Sequence, residues 1–360
     1  QAEDGIRDSS TSRGLGDVYK RQVGERFIEW LADNKPSKVE TTIEIAITPN
    51  RPDALGIYGI ARDLSASGIG KLRVSKIPNV EGIFKPHLNI NLDQAVSSKE
   101  CPLFVGRYLR SVQNRESPQW LKNRLIGIGL NPISALVDIT NYLTFDRARP
   151  LHVFDADKLS GGLTVRRSVE GEKFHALDDK IYELNEGMIV ITDEKEIVSL
   201  GGIIGGMKSA VSDETKNVLL EAAYFDPISI AATGRKLQIN SDARYRFERG
   251  VDPSFTLSGS HIATKMILDL CGGEASDIII AGSVPSFEKK IIFDPIKVNQ
   301  LIGIEVNRAR QFEILKSLGF SVKEVQNKFE IIDPAWRPDV HDEVDIIEEV
   351  ARINSLANLR

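Results

Sequence analysis

The sequence predicts an α+β protein of several domains, in which a large central α/β region stands between two small winged-helix-like α+β units. Three observations carry this. The chain has 360 residues, more than one ordinary core organises. Strand-like and helix-like periodicities alternate from about His87 to about Pro285. A turn motif near the start also returns near the end. Ile47-Thr48-Pro49-Asn50-Arg51-Pro52-Asp53 is echoed by Ile332-Asp333-Pro334-Ala335-Trp336-Arg337-Pro338-Asp339, and each copy follows a strand and precedes a helix holding Ala-Arg (Ala61-Arg62, Ala351-Arg352).

In chain order, residues 1–22 are polar, aperiodic and rich in Gly, Ser and Arg. Their wording is similar to translated sequencing-adaptor sequence, so they are expected to lie outside the fold. Arg26 to Asn34 reads as a short helix, and Thr41 to Ile47 alternates as a strand. The breaker-rich turn at Pro49–Asp53 leads into a helix over Ala54 to Ser67, with Asp53 placed to cap it. Ser75 to Pro86 reads as a linker, so residues 23–84 form one small unit with its connection. The central domain is assigned to 85–288, with strands at Leu163–Arg167, Met188–Thr192 and Asn217–Glu221 and helices at Ser117–Ile126 and Ser260–Cys271. The last unit, 289–360, reads as helix (Ile296–Leu301), helix (Arg308–Leu318), hairpin (Ser321–Ile332) and helix (Val344–Ile353). Two helices before a hairpin is the winged-helix order, but no basic recognition helix marks it for DNA.

Composition narrows the function classes. With 41% hydrophobic and 27% charged residues the balance is that of a globular protein, and no run reaches the ~18 to 20 apolar residues of a membrane helix. Cys101 and Cys271 form no CxxC pair, which argues against a disulfide framework or a cysteine zinc site and suits a cytoplasmic location. A net charge of −5 argues against a protein that only coats nucleic acid.

Five groups of residues carry possible chemistry. His152, in Arg149-Pro150-Leu151-His152-Val153-Phe154-Asp155, sits between apolar neighbours and reads either as structural or as ligand-facing. Gly201-Gly202-Ile203-Ile204-Gly205-Gly206 lacks the Lys-Ser/Thr ending of a phosphate loop and serves either close packing or close approach of a ligand. Glu221 stands on an apolar strand, where a carboxylate needs a partner: an arginine, a backbone amide or a ligand hydroxyl. In Asn240-Ser241-Asp242-Ala243-Arg244-Tyr245-Arg246-Phe247-Glu248-Arg249-Gly250, Ser241 or Asp242 is placed to cap a helix, and Arg246 and Arg249 share a face that meets phosphate or acids such as Glu248 and Glu221. No Gly-x-Ser-x-Gly elbow surrounds Ser241, so a serine-hydrolase triad is not indicated. Finally, Asp345, Glu348 and Glu349 share a helix face, with Asp339 upstream; oxygen-only clusters suit magnesium, and a solvated acidic face is the plainer reading.

These groups occur together and in order, joined by Asn131-Pro132-Ile133-Ser134-Ala135-Leu136-Val137-Asp138-Ile139-Thr140-Asn141-Tyr142 and by Tyr245 to Pro253. The whole set resembles the β subunit of bacterial phenylalanyl-tRNA synthetase over nearly everything after Gln22. The resemblance implies that 85–288 is a B3/B4-like tRNA-editing domain and 289–360 a B5-like unit. It also implies an α2β2 enzyme with an α subunit, which binds tRNA(Phe) and uses ATP and magnesium to attach phenylalanine. It further implies that the chain is an internal piece without the aminoacylation site. By the same resemblance the editing site hydrolyses tyrosine wrongly esterified to tRNA(Phe). Glu221 would meet the tyrosine hydroxyl, His152 and Ser241 would orient substrate or water, and Gly205 and Ala243 would keep the pocket open. Asp339, Asp345, Glu348 and Glu349 would bind magnesium shared with the α subunit. The sequence departs from the family pattern at Ser241, where threonine is common, and at Met207, where an acid is common. A free-standing editing deacylase and a non-enzymatic module that binds the α subunit are the competing readings.

Overall fold

The computed structural model describes residues 42–74, 76–286 and 289–354. The helix expected at 26–34 and the adaptor-like stretch 1–22 lie outside the described residues. Residues 42–48 carry no regular element and join no ladder, so the strand expected at 41–47 is not seen over its described part. A 3-10 turn at Pro52–Leu55 precedes α1 (Ile57–Ala66). Asp53 does not cap α1; its carboxylate is held by Arg51 and Arg62 instead.

The central region runs through β1 (Ile90–Leu92), α2 (Gln94–Ser97), β2 (Leu103–Arg110), α3 (Gln119–Gly127), α4 (Ala135–Arg147), β3 (His152–Asp155), β4 (Leu163–Arg167), β5 (Lys173–His175), β6 (Ile181–Glu183), β7 (Ile189–Thr192), β8 (Ile197–Leu200), β9 (Ile204–Gly205), β10 (Val218–Tyr224), α5 (Pro227–Leu237), α6 (Asp242–Phe247), α7 (Thr256–Cys271) and β11 (Glu274–Gly282). Its strands form two main sheets: β1-β4-β7-β8-β9, and the antiparallel β11-β2-β10-β3. Side chains alternate along a strand, so each sheet presents two faces. One face of the four-stranded sheet (Phe104, Tyr108, Phe154, Leu219, Ala223) packs on the five-stranded sheet (Ile90, Val165, Ile191, Leu200) in one core. The other face (Leu109, Val153, Val218, Leu220) is covered by α3, α4 and α7. The central strands β2 and β10 are therefore buried on both faces, which explains their unbroken apolar runs.

Local signals fix the joints. Pro227 opens α5 while the Asp226 carboxylate accepts from the Ser229 amide at 2.9 Å. Asp138 accepts from the Ile133 amide at 2.9 Å and the Ser117 hydroxyl at 2.6 Å, tying the start of α4 to the segment before α3. Arg149, fully buried, donates to the carbonyls of Ala223 (2.7 Å) and Asp252 (2.8 Å) and to the Thr256 hydroxyl, pinning β3 beside β10. Within the expected linker, Phe84 bridges to Ser276 and so extends the edge of β11.

The last unit comprises β12 (Lys290–Phe293), α8 (Ile296–Ile302), α9 (Arg308–Ser317), β13 (Ser321–Val325), β14 (Lys328–Ile332) and α10 (Glu343–Asn354). The strand β12, not foreseen, pairs with β14 and makes a three-stranded sheet of the expected hairpin. Phe293, Ile314, Phe329, Ile346 and Val350 form its core, and Ala66 of α1 packs into the same core. The segment ahead of the central region thus shares a core with the segment behind it. Among the described residues no helix is long and apolar enough to cross a membrane.

Candidate active site

The antiparallel ladder of β10 and β3 places Glu221 directly opposite His152, on the face turned toward the five-stranded sheet. Neither finds a protein partner for one of its polar atoms: Glu221 Oε2 and His152 Nε2 are both buried without a hydrogen bond. Such atoms are rare in a folded protein, because an unmet buried polar group costs about 1–3 kcal/mol. Among the described residues no arginine pairs with the Glu221 carboxylate. Arg246 pairs with Asp242 and lies over Phe145, and Arg249 pairs with Glu248 and stacks on Tyr245. Burial alone pushes the Glu221 carboxyl up to about 8 and the His152 imidazole down to about 4. Near neutrality both groups are therefore uncharged. Cys101 stands close enough for its thiol, pushed up first by burial, to feel the Glu221 carboxyl as well.

Gly205 completes the constellation. A Cβ built on it would lie 2.4 Å from His152 Cε1 and 2.7 Å from Nε2. Only glycine lets β9 pass this close to the ring, and the His152 ring also packs edge to face with Phe154, centroids 4.5 Å apart. His152 is partly exposed as a residue although its Nε2 is covered, so the edge of the constellation reaches solvent.

Ser241 lies next to the glycine loop but its hydroxyl is engaged. It donates to the Ile203 carbonyl at 2.6 Å and accepts from the Arg244 amide at 3.0 Å, so it is the N-cap of α6 and fastens that helix to the loop. Ala243, two residues on, packs partly buried against the core that holds Leu219 and Ala223. The structure thus brings His152, Glu221 and Gly205 together, with Ser241 and Ala243 bordering the same loop and core. Sequence reasoning passed over Arg149 and Cys101. The first stood inside the His152 motif, where an arginine before Pro-Leu-His in an apolar setting was the available signal. A polar cleft of about 420 Å³ opens elsewhere, between β4, β5 and the β7–β8 turn, and contains none of these residues. Within it Arg166 pairs with Glu172, and Glu196 pairs with Lys208 beside it.

Of the four expected magnesium ligands, Asp339 and Glu349 converge on one arginine, Arg337. Asp339 is bound by Arg337 through Nε and Nη2, each at 2.8 Å. Glu349 is paired with Arg337 and Arg352; burial alone would raise its carboxyl, but these hydrogen bonds hold it down at about 2. Asp345 accepts from the amides of His341 and Asp342, at the start of α10, and Glu348 is exposed. Among the described residues no group of three or more His, Cys, Asp or Glu is arranged to hold a metal ion. Three of the four acids expected to bind a cation thus have arginines or backbone amides as partners, which is a poor fit to magnesium, while Glu348 stays exposed.

Two family models define a chain built from aminoacyl-tRNA synthetase modules. Residues 100–272 match the family model of the B3/4 domain, and residues 291–355 match that of the tRNA synthetase B5 domain. The chain is 52% identical over 346 residues to the phenylalanine–tRNA ligase beta subunit of Ruegeria pomeroyi, which covers 96% of this chain and 43% of the relative. It is 52% identical over 318 residues to that of Paramagnetospirillum magneticum, covering 88% of this chain and 40% of the relative. The chain belongs to the family of bacterial phenylalanine–tRNA ligase β subunits. It spans about two-fifths of the length of the curated relatives it matches.

Proposed function

We propose that this chain carries the proofreading site of a phenylalanine–tRNA ligase: it hydrolyses the ester of tyrosine wrongly attached to tRNA(Phe). The observation that carries the reading is the cross-strand pair Glu221 and His152, each holding a buried polar atom without a protein partner. A tyrosine side chain offers one hydroxyl that phenylalanine lacks. Meeting it at Glu221 satisfies a group that phenylalanine leaves unmet, and such an asymmetry supports discrimination of a hundredfold or more. His152, neutral and partly reachable from solvent, is the group placed to orient the attacking water, which adds to the ester carbonyl and releases free tyrosine and the tRNA hydroxyl. No covalent nucleophile is needed; positioning and a water-poor setting supply the rate. Ser241 acts by holding the glycine loop against α6, and Ala243 and Gly205 leave room along the wall.

The ligase reaction itself, attachment of phenylalanine with ATP, is assigned to the larger α2β2 assembly with an α subunit, and winged-helix-like packing to the small unit around α8–α10. The test is hydrolysis of tyrosyl-tRNA(Phe) and phenylalanyl-tRNA(Phe) by this chain. Preference for the tyrosyl ester, lost on Glu221→Ala, is expected; equal rates on both esters by the unaltered chain overturn the reading.

A further inference from the structure

The turn motif that the sequence repeats is also repeated in space, and its two copies face each other. In each, the arginine amide donates to the carbonyl three residues back, Arg51 to Thr48 at 3.0 Å and Arg337 to Pro334 at 2.9 Å. Each arginine carbonyl then accepts from the amide three residues on, that of Ala54 or Val340. Both arginines are nearly fully buried. Each grips an aspartate two residues on with Nε and Nη2, Arg51 on Asp53 and Arg337 on Asp339. Each also reaches an acid twelve residues on in the following helix, Asp63 of α1 and Glu349 of α10.

The copies are then cross-linked. Arg352 of α10 donates to Asp63 at 2.7 Å, Asn50 donates to Asp339 at 3.4 Å, and Arg62 of α1 lies over the Trp336 ring at 4.0 Å. Where the two turns meet the central region stands Gly250. Its φ is +106°, and a Cβ there would come 3.2 Å from Pro338 and 4.0 Å from Pro52, the equivalent prolines of the two copies. Arg246, on α6, donates to the Leu55 carbonyl at 3.2 Å from the same side.

We propose that the two turns form one paired arginine clasp in which Asp53, Asp63, Asp339 and Glu349 are counter-ions, not cation ligands, and that this clasp is the seat fixing α6 and the Gly250 turn. Buried arginine–carboxylate pairs with two-pronged geometry are rigid, and deleting one partner leaves the other charge unmet. The clasp joins chain segments on either side of the central region. It bears on that region through the helix whose first residues, Ser241 and Ala243, adjoin the glycine loop. The proposal stands whether or not the site edits tRNA, because it concerns positions and ion pairing only.

The test is amide hydrogen exchange on the chain, read at 48–56 and 245–250, together with calorimetric titration with magnesium chloride. Arg337→Met is expected to speed exchange in both segments on the order of tenfold or more, leaving α3 unchanged. The triple neutral variant Arg337→Met/Asp339→Asn/Glu349→Gln, which strands no charge, is expected to recover part of that protection. Asp63→Asn, at the partly exposed edge, is expected to act in the same direction more weakly, and it serves if Arg337→Met does not fold. Magnesium is expected to give no binding heat and no added protection. Magnesium binding that Asp339→Asn/Glu349→Gln abolishes, or exchange at 245–250 that is indifferent to both Arg337→Met and Asp63→Asn, overturns the proposal.

Discussion

Replacing Glu221 with glutamine keeps the shape and the hydrogen-bonding capacity of the side chain but removes its proton equilibrium. In the fold the carboxyl is pushed by burial to about 8, against an ordinary value near 4.5. A folded-state value above the unfolded one means that the native chain holds a proton the unfolded chain has released. The stability tied to that proton is fully present below about pH 4.5 and is lost as the pH rises through about 8. At 1.36 kcal/mol per unit, the loss between about pH 5 and pH 8 is roughly 3 to 4 kcal/mol. Glu221→Gln should therefore be close to the parent in stability at pH 5 and clearly more stable at pH 8. The chain has more than one core, so a whole-chain melt would blur the effect. Exchange of the slowest amides of β3 and β10 reports the opening of the central core itself. The decisive quantity is the variant-minus-parent difference across the pH series, in which other titrating groups cancel. A flat difference would show that the carboxyl ionises as it does in water, and the idea of a desolvated acid awaiting a hydroxyl would fail with it.

Further outcomes follow from the same geometry. His152, pushed down to about 4 from 6.5, contributes stability present above about pH 6.5 and lost as the pH falls through 4, so His152→Gln should flatten the acid limb of the same exchange profile. Gly205→Ala drives a methyl into the His152 ring; we expect a cost of about 1–3 kcal/mol in thermal melts and at least a tenfold loss of tyrosyl-ester hydrolysis, and an unchanged rate would detach this glycine from the site. Ser241→Ala should cost about 1 kcal/mol through the lost cap while Ser241→Thr costs little, and a melt that does not distinguish them would remove the capping role. Arg107 is 1% exposed, its guanidinium nitrogens make no hydrogen bond among the described residues, and burial lowers its pKa against the opposing charge of Asp277. Arg107→Met should therefore leave stability unchanged or raise it by about 1–3 kcal/mol, and a comparable drop would show that the attraction of Asp277 outweighs the cost of burial.

Much of this was legible in the sequence where periodicity was strong. The helices of the last unit and the strands around 163–167, 189–192 and 218–224 fall within a few residues of their expected places, because apolar spacing and breakers mark them. Glu221 stood out because an acid on an apolar strand is costly, but its neighbour across the ladder was not readable. Register depends on which strands pair, and β3 and β10 are far apart in the chain. The arginine beside the magnesium set was hidden for the opposite reason. Helical spacing puts carboxylates on one face, but says nothing of an arginine buried beside them, and Arg337 takes two of the four acids. β12 was missed because four residues with one lysine give too short a pattern. The repeated turn was visible as letters, whereas the contact between its copies depends on the path of the whole central region.

The same ladder that builds the core also sets what the site can recognise. In β10 the residues flanking Glu221, Leu220 and Ala222, face α7 and the small cluster with Leu103 and Val105. A slip of one residue would turn the carboxyl into that helix-covered face and present an apolar side chain to His152. Such a slip is opposed on both sides, because β10 is paired to β2 over its full length and to β3 over four residues, with Arg149 bolting the Ala223 carbonyl in place. A buried acid without a partner is therefore tolerated here because the surrounding strands over-determine its position. The energy left unspent on that carboxyl is available only to a ligand that brings a hydroxyl to it.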